Sequence, residues 1–326
     1  MRTARLGLWL AIVLLAALPL GTDAQQRANW PRSVAIGSAS IGGVYFVIAG
    51  GYAKVIQEKL GVPSSVEVTG GPEQNIQLLA AKRIELGLAT MGPLYEALRG
   101  IGWADHRYTD LRGAFPMYTS YVHWIVRADS PIRSIGDLND KVVHLGPRGG
   151  TAEFFWPRVF NLFNIKPRRI VFGAIAEGAN ALRDGQIDGA FQVIGLPVPA
   201  WVELSATRPI RVMGLTPQQV ETLVARFPYV SRSAIRAGVY RGQDAPLTTV
   251  AMWNAAIVHK DAADDFVYEM VKAMFANVEL LATVHPAGAE TLPVNIFYID
   301  MPLHPGAVRY YTEQRIKLKD SQLPPR

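Results

Sequence analysis

Residues 33–98 can be laid over residues 141–201 so that one order of elements appears twice, and this repeat narrows the fold more than any other feature. "SVAIGSASIGGVYFVIAGGYAKVI" stands over "KVVHLGPRGGTAEFFWPRVFNLF": a short apolar run, a Gly-rich loop, then an aromatic-rich helical stretch. "GVPSSVEVTGGPEQNIQLLAAKRIELGLATMG" stands over "NIKPRRIVFGAIAEGANALRDGQIDGAFQVIG". Each of these gives a strand, a turn, a helix containing Asn75 or Asn180, and a third strand headed Ile-Glu or Ile-Asp. Both halves therefore read β-α-β-α-β, the unit that builds a parallel sheet with helices on its faces. The runs "VAI", "VEV", "LGLAT", "VVHL", "IVF" and "GAFQV" are short and apolar, as buried parallel strands are.

Helix starts are marked as well. Pro72 follows Gly70-Gly71 and precedes Glu73, which suits the positive end of a helix. Thr151 is the expected cap after Gly149-Gly150. Pro157 falls inside that second helix, where it should kink it. Between the halves, "MYTSYVHWIV" reads as one long strand crossing from lobe to lobe, and "GVYRGQDAPLTTVAMWNAAIVHK" supplies a returning strand. "DAADDFVYEMVKAMFANVELLATVH" then reads as an amphipathic helix with Asp261 near its start. The predicted architecture is α/β and two-lobed, each lobe a parallel-rich sheet flanked by helices, with a two-strand hinge. Residues 30–119 with 250–326 form one lobe and 120–249 the other. The Gly-rich loops then face each other across a cleft at the carboxyl ends of strands, where open α/β sheets bind ligands.

The first 24 residues, "MRTARLGLWLAIVLLAALPLGTDA", combine Arg2 and Arg5, an apolar run from Leu6 to Leu18 and a small-residue end. That order is a secretory signal peptide, cut after Ala24; the run falls short of the roughly 20 residues a span needs. Cysteines number zero, so disulfides are excluded, and so is a lipid anchor at the cleavage site. The expectation is a monomer free in the periplasm. Formal charge is +6, falling to +5 without Arg2, Arg5 and Asp23. Lys and Arg are scattered, "RPIR" and "KPRR" being the densest runs, so no stripe or motif points to nucleic acid.

The first Gly-rich loop has the geometry of an anion site: a strand, then glycines and serines, then a helix start near Gly43 or Val44. Gly37 and Gly42 carry the spacing of a Walker loop, but Gly43 stands where its Lys is required. Ser40 has Ser38, not Gly, two positions before it, so it is no nucleophile elbow. The six histidines (106, 123, 144, 259, 285, 304) are isolated in sequence, without metal-ligand spacing. Glu67, Glu73, Glu85 and Asp188 sit beside strands or helix starts, where capping and solvation account for them. No catalytic residue, metal or cofactor is expected. A neutral, donor-rich loop doubled across a cleft is binding chemistry suited to a small organic anion.

Six segments in order resemble the TAXI-type solute-binding receptors of TRAP transporters, from about Val34 to Tyr311. They are "IGSASIGGVYF", "VTGGPEQNIQLLAAKRIELGLA", "VHWIVRADSPIRSIGDLNDKVVHLGPRGGT", "LRDGQIDGAF", "FPYV…AGVY" and "LHPGAVRYY". The resemblance implies a type II-like periplasmic-binding-protein fold and a receptor that delivers a small acid (amino acid, 2-oxoacid or dicarboxylate) to an ion-gradient-driven membrane permease. A sensor subunit presenting its ligand to a membrane signalling protein is the alternative. By position, Ser40, Gly43 and Tyr45 would line the first wall, and Asn75 would donate its amide to a carboxylate. Gly149, Gly150 and Thr151 would face them, with Gln192 and Pro197 shaping the far wall. Thr90-Met91-Gly92 replaces a Gln-Ser-Asp common in the family, and Gly150 replaces a serine, with Arg148 beside it. These departures imply a less polar, more positive pocket in which Arg148 clamps a carboxylate.

Overall fold

The computed structural model describes residues 27–324; the expected signal peptide lies outside the described residues. Ten strands form one curled sheet in the order β2-β1-β3-β10-β4-β7-β5-β6, with β8 (Ile210–Met213) beside β4 and β9 (Ser231–Ile235) beside β10. The first half folds as β1 (Val34–Gly37), α1 (Val44–Val55), β2 (Ser64–Glu67), α2 (Pro72–Ala80) and β3 (Leu86–Thr90), followed by α3 (Met91–Arg99). The second repeats it as β5 (Val142–His144), α4 (Thr151–Leu162), β6 (Arg169–Val171), α5 (Ile175–Arg183) and β7 (Gly189–Ile194). Within each half the three strands pair in parallel. The central strands β3 and β7 are buried at every position, whereas the edge strand β2 alternates, as its one-sided cover requires.

Two long strands join the halves. β4 (Leu111–Arg127) runs antiparallel to β7, and β10 (Leu247–His259) runs antiparallel to both β3 and β4. β4 is longer than its central apolar segment suggested, because "LRGAFP" continues it into the first half. The β10–β4 register shifts between Trp253 and Ala255, leaving Asn254 outside that ladder but paired with Thr90 of β3. Aromatic packing fills the second half: Trp124 stacks on Phe191 at 4.8 Å and Trp156 meets the same ring edge-on. Each such side chain, fully buried, stabilises by roughly 2–3 kcal/mol.

Two local expectations change and one holds. The C-terminal helix begins at Asp264 and breaks at Asn277, giving 264–276 and 278–284; Asp261 instead pairs with Lys82 at 2.8 Å. The cap of α4 is Gly150, not Thr151, and no side chain caps it. Pro157 does lie inside α4. Near it, the Arg158 guanidinium turns back to donate to the Phe154 carbonyl.

Candidate functional site

The loops that begin α1, α2 and α4 converge where the two halves meet. Gly71 has φ +124, open to glycine and strained for other residues. A Cβ on Gly70 would overlap the Arg148 carbonyl, and one on Gly71 would stand 3.2 Å from Gly150 Cα. Backbone therefore lies directly on backbone here, and the Glu73 N–H donates across the seam to the Gly149 carbonyl at 3.2 Å. On the other side, the Ala200 N–H reaches the Gly42 carbonyl at 3.4 Å. Between these contacts lies a cavity of about 40 Å³. Its walls include the apolar Val44, Pro72, Ile175 and Ile194 and the polar Tyr45, Ser120, Thr151 and Gln192. No Lys, Arg, Asp or Glu lines it among the described residues.

A hydroxyl network is built around Asn254. Its Nδ2 donates to the Tyr118 carbonyl (2.7 Å) and Ser120 Oγ (2.8 Å), which turns Oδ1 toward the hydroxyls. Tyr45 donates to that oxygen at 2.6 Å and Thr90 at 2.9 Å. Thr90 also lies 3.0 Å from the Tyr45 hydroxyl and 2.8 Å from the Thr151 hydroxyl, so one hydrogen bond ties β3 of the first half to α4 of the second. Burial holds the Tyr45 phenol far above its ordinary pKa, with the Thr90 hydrogen bond opposing only in part. It stays a neutral donor. Gln192 is 3 % exposed, and its Nε2 has no hydrogen-bond partner. A buried donor left so carries a penalty of about 1–3 kcal/mol that a suitable acceptor would remove.

The positions singled out from sequence divide clearly. Gly43, Tyr45, Gly150, Thr151 and Gln192 line the cavity, and Thr90 stands behind it in the network. Ser40 is buried but turns toward α5, its Oγ 3.4 Å from the Ile175 N–H. Asn75 has no amide proton to offer a ligand: Nδ2 donates to the Ser38 and Leu88 carbonyls (2.7 and 2.8 Å) while Oδ1 accepts from Thr69 (2.7 Å). It is a strut beneath the first loop. Met91 lines a groove with Tyr95 and Tyr229, away from the cavity. Gly149 belongs to the seam, its N–H donating to Glu153 (2.6 Å). Pro197 is absent from the wall; its carbonyl contacts His285 Nε2 at 2.9 Å.

Arg148 is a correction. Its side chain is 72 % exposed, bonds Glu153 at 3.0 Å and lies over the Phe172 ring at 4.0 Å. The pocket is accordingly not positive. Sequence reasoning also passed over Asn254 and Ser120, although an Asn inside the apolar run "VAMWNAAIV" is a signal: Asn is depleted in strands and must be hydrogen-bonded when buried.

Charge gathers at the rim instead. Arg158 of α4 makes a two-pronged bond to Glu96 of α3 at 3.0 and 2.9 Å. Glu73 stands nearby with its pKa pushed up to about 7, first by burial, then by Glu153, with Arg158 opposing and Glu96 adding.

A curled, parallel-rich sheet divided by two crossing strands, with its cavity at the loop ends of both halves, defines the periplasmic-binding-protein fold. Known structures share it. MatC from Rhodopseudomonas palustris, solved with bound malate, superposes with a TM-score of 0.58 at 14% identity over 87% of this chain and 96% of that one. The periplasmic binding protein BugD gives 0.55 at 14% over 88% and 95%. The substrate-binding protein of an amino acid ABC transporter gives 0.50 at 14% over 77% and 96%. At such identities the likeness concerns the fold alone. The NMT1-like family model matches residues 36–314, and the chain belongs to that family.

Proposed function

We propose that this chain is a periplasmic solute-binding receptor that encloses a small organic acid between its lobes and delivers it to a TRAP-type permease driven by an ion gradient. The observation that carries the reading is the buried, unpartnered Gln192 amide in a cavity where three glycine-capped helices, α1, α2 and α4, begin. Such helix starts direct N–H groups and positive dipole ends at an anion. The six TAXI-like segments support the permease partner. The lobes are taken as 30–119 with 250–326, and 120–249, working as a monomer after export and removal of residues 1–24. Closure would bring Thr151 to Thr90, the bond that joins the halves at the cavity.

A thermal-shift screen of refolded protein against amino acids, 2-oxoacids and dicarboxylic and monocarboxylic acids tests the reading. A ligand at a hundred times its Kd should add about 2.7 kcal/mol of stability, for a rise of several degrees in Tm. Absence of a shift from every acid would refute it. Co-purification with, or stimulation of, a TRAP-type permease tests the partner.

A further inference from the structure

We infer that the ligand is a small monocarboxylate with a short, uncharged and largely apolar remainder, a conclusion that rests on the receptor reading above. The cavity is about 40 Å³. One water occupies roughly 10–15 Å³ on that measure, so the space matches about three or four water-sized groups, which favours the smallest organic acids.

Charge selects further. One carboxylate finds neutral donors in the Gln192 Nε2 and the N–H groups of the α4 start at Gly150, which no side chain caps, whereas the Tyr45 and Thr151 hydroxyl protons are held in the Asn254 network. A second carboxylate finds no guanidinium or ammonium in the wall, because Arg148 is held outside by Glu153 and Phe172. A ligand ammonium likewise finds no carboxylate there. Either charge would be buried unpaired, which is strongly unfavourable. In the same wall, Ile175, Ile194 and Val44 offer only methyl and methylene groups, suited to an alkyl tail.

Isothermal titration of refolded protein with propionate, isobutyrate, pyruvate, succinate, malate and alanine tests this. At least one monocarboxylate should bind about 30-fold or more tighter than succinate, malate and alanine, as the cost of an unpaired buried charge requires. Gln192→Leu should weaken that binding by about 10-fold without lowering Tm. Gln192→Glu, nearly the same size, should abolish it by placing a second carboxylate against the ligand. Succinate, malate or alanine binding as tightly as the monocarboxylates would overturn the inference and leave the receptor reading standing. Binding of no acid would overturn both. Unchanged affinity in folded Gln192→Glu would overturn the placement of the carboxylate.

Discussion

The two halves of the molecule solve one packing problem with opposite residues. The last residue of β1 is Gly37 and that of β5 is His144; each precedes the following helix start, Val44 or Thr151, by the same interval. The fourth residue of α2 is Asn75 and that of α5 is Gly178. In the first half the helix supplies the side chain and the strand the gap: a Cβ on Gly37 would stand 2.6 Å from Asn75 Oδ1. In the second the strand supplies it and the helix the gap, since a Cβ on Gly178 would overlap the His144 ring. The backbone repeat is thus kept by complementary pairs rather than by matching residues. Chemically the outcomes differ. Asn75 is fully bonded and cannot titrate, whereas His144 keeps an unpartnered Nε2 and burial lowers its pKa, with Glu177 opposing. The Asn75 strut of the first half is fully matched, whereas the second half's His144 and Gln192 keep unmatched polar atoms.

Removing the first strut should have the largest effect. Asn75→Ala removes three buried hydrogen bonds, to the Ser38 and Leu88 carbonyls and from Thr69, although Thr69 keeps its bond to the Ser38 carbonyl, and should cost about 3 kcal/mol in denaturant unfolding. Gly178→Asn, which copies the first half's residue into the second, forces a side chain into the imidazole and should cost about 2 kcal/mol; adding His144→Gly should recover much of it. Failure of that rescue would break the symmetry argument.

The seam gives a pH-dependent contrast. Glu73 has a folded pKa of about 7 against an ordinary 4.5, so the folded state holds the extra proton. Its contribution is fully present below about 4.5 and is lost as pH rises through about 7. Glu73→Gln should therefore gain stability over wild type progressively across that window, read as the difference between two pH series. Buried His123, held down to about 4 by desolvation, has the opposite slope and cancels in the difference. Smallest of all, Asn180→Ala should change stability by less than about 0.5 kcal/mol, because Asn180 is exposed. A cost near that of Asn75→Ala would mean that the two asparagines do correspond.

That last pair marks how far the sequence could be read. Both β-α-β-α-β units were legible because burial of parallel strands and the Gly-rich turns before helices leave strong one-dimensional patterns. Side-chain roles were not. Each second helix carries an asparagine, Asn75 or Asn180, yet helix starts at Pro72 and Ile175 set Gly178, not Asn180, at the position of Asn75. Gly43, Tyr45, Gly150, Thr151 and Gln192 could be tied to the cleft because they lie in or beside loops that the topology must bring to one sheet edge. Arg148 lies in the same loop, yet adjacent Gly149 at φ +78 accompanies a turn in which its guanidinium lies over Phe172. Asn254 comes from more than a hundred residues away, and only the meeting of β10 with β3 brings it to Tyr45 and Thr90.

The register shift in β10 has an optical consequence. The ladder to β4 slips around Asn254, so the residue that gathers the cavity hydroxyls sits where β10 is paired to β3 but not to β4. Its neighbour Trp253 is stacked on Tyr298 at 4.5 Å and 3°. The indole next to the residue that gathers the cavity hydroxyls is thus already in contact with a second ring, in the groove beside Met91 rather than in the cavity, and its fluorescence is a built-in reporter on this stretch of β10.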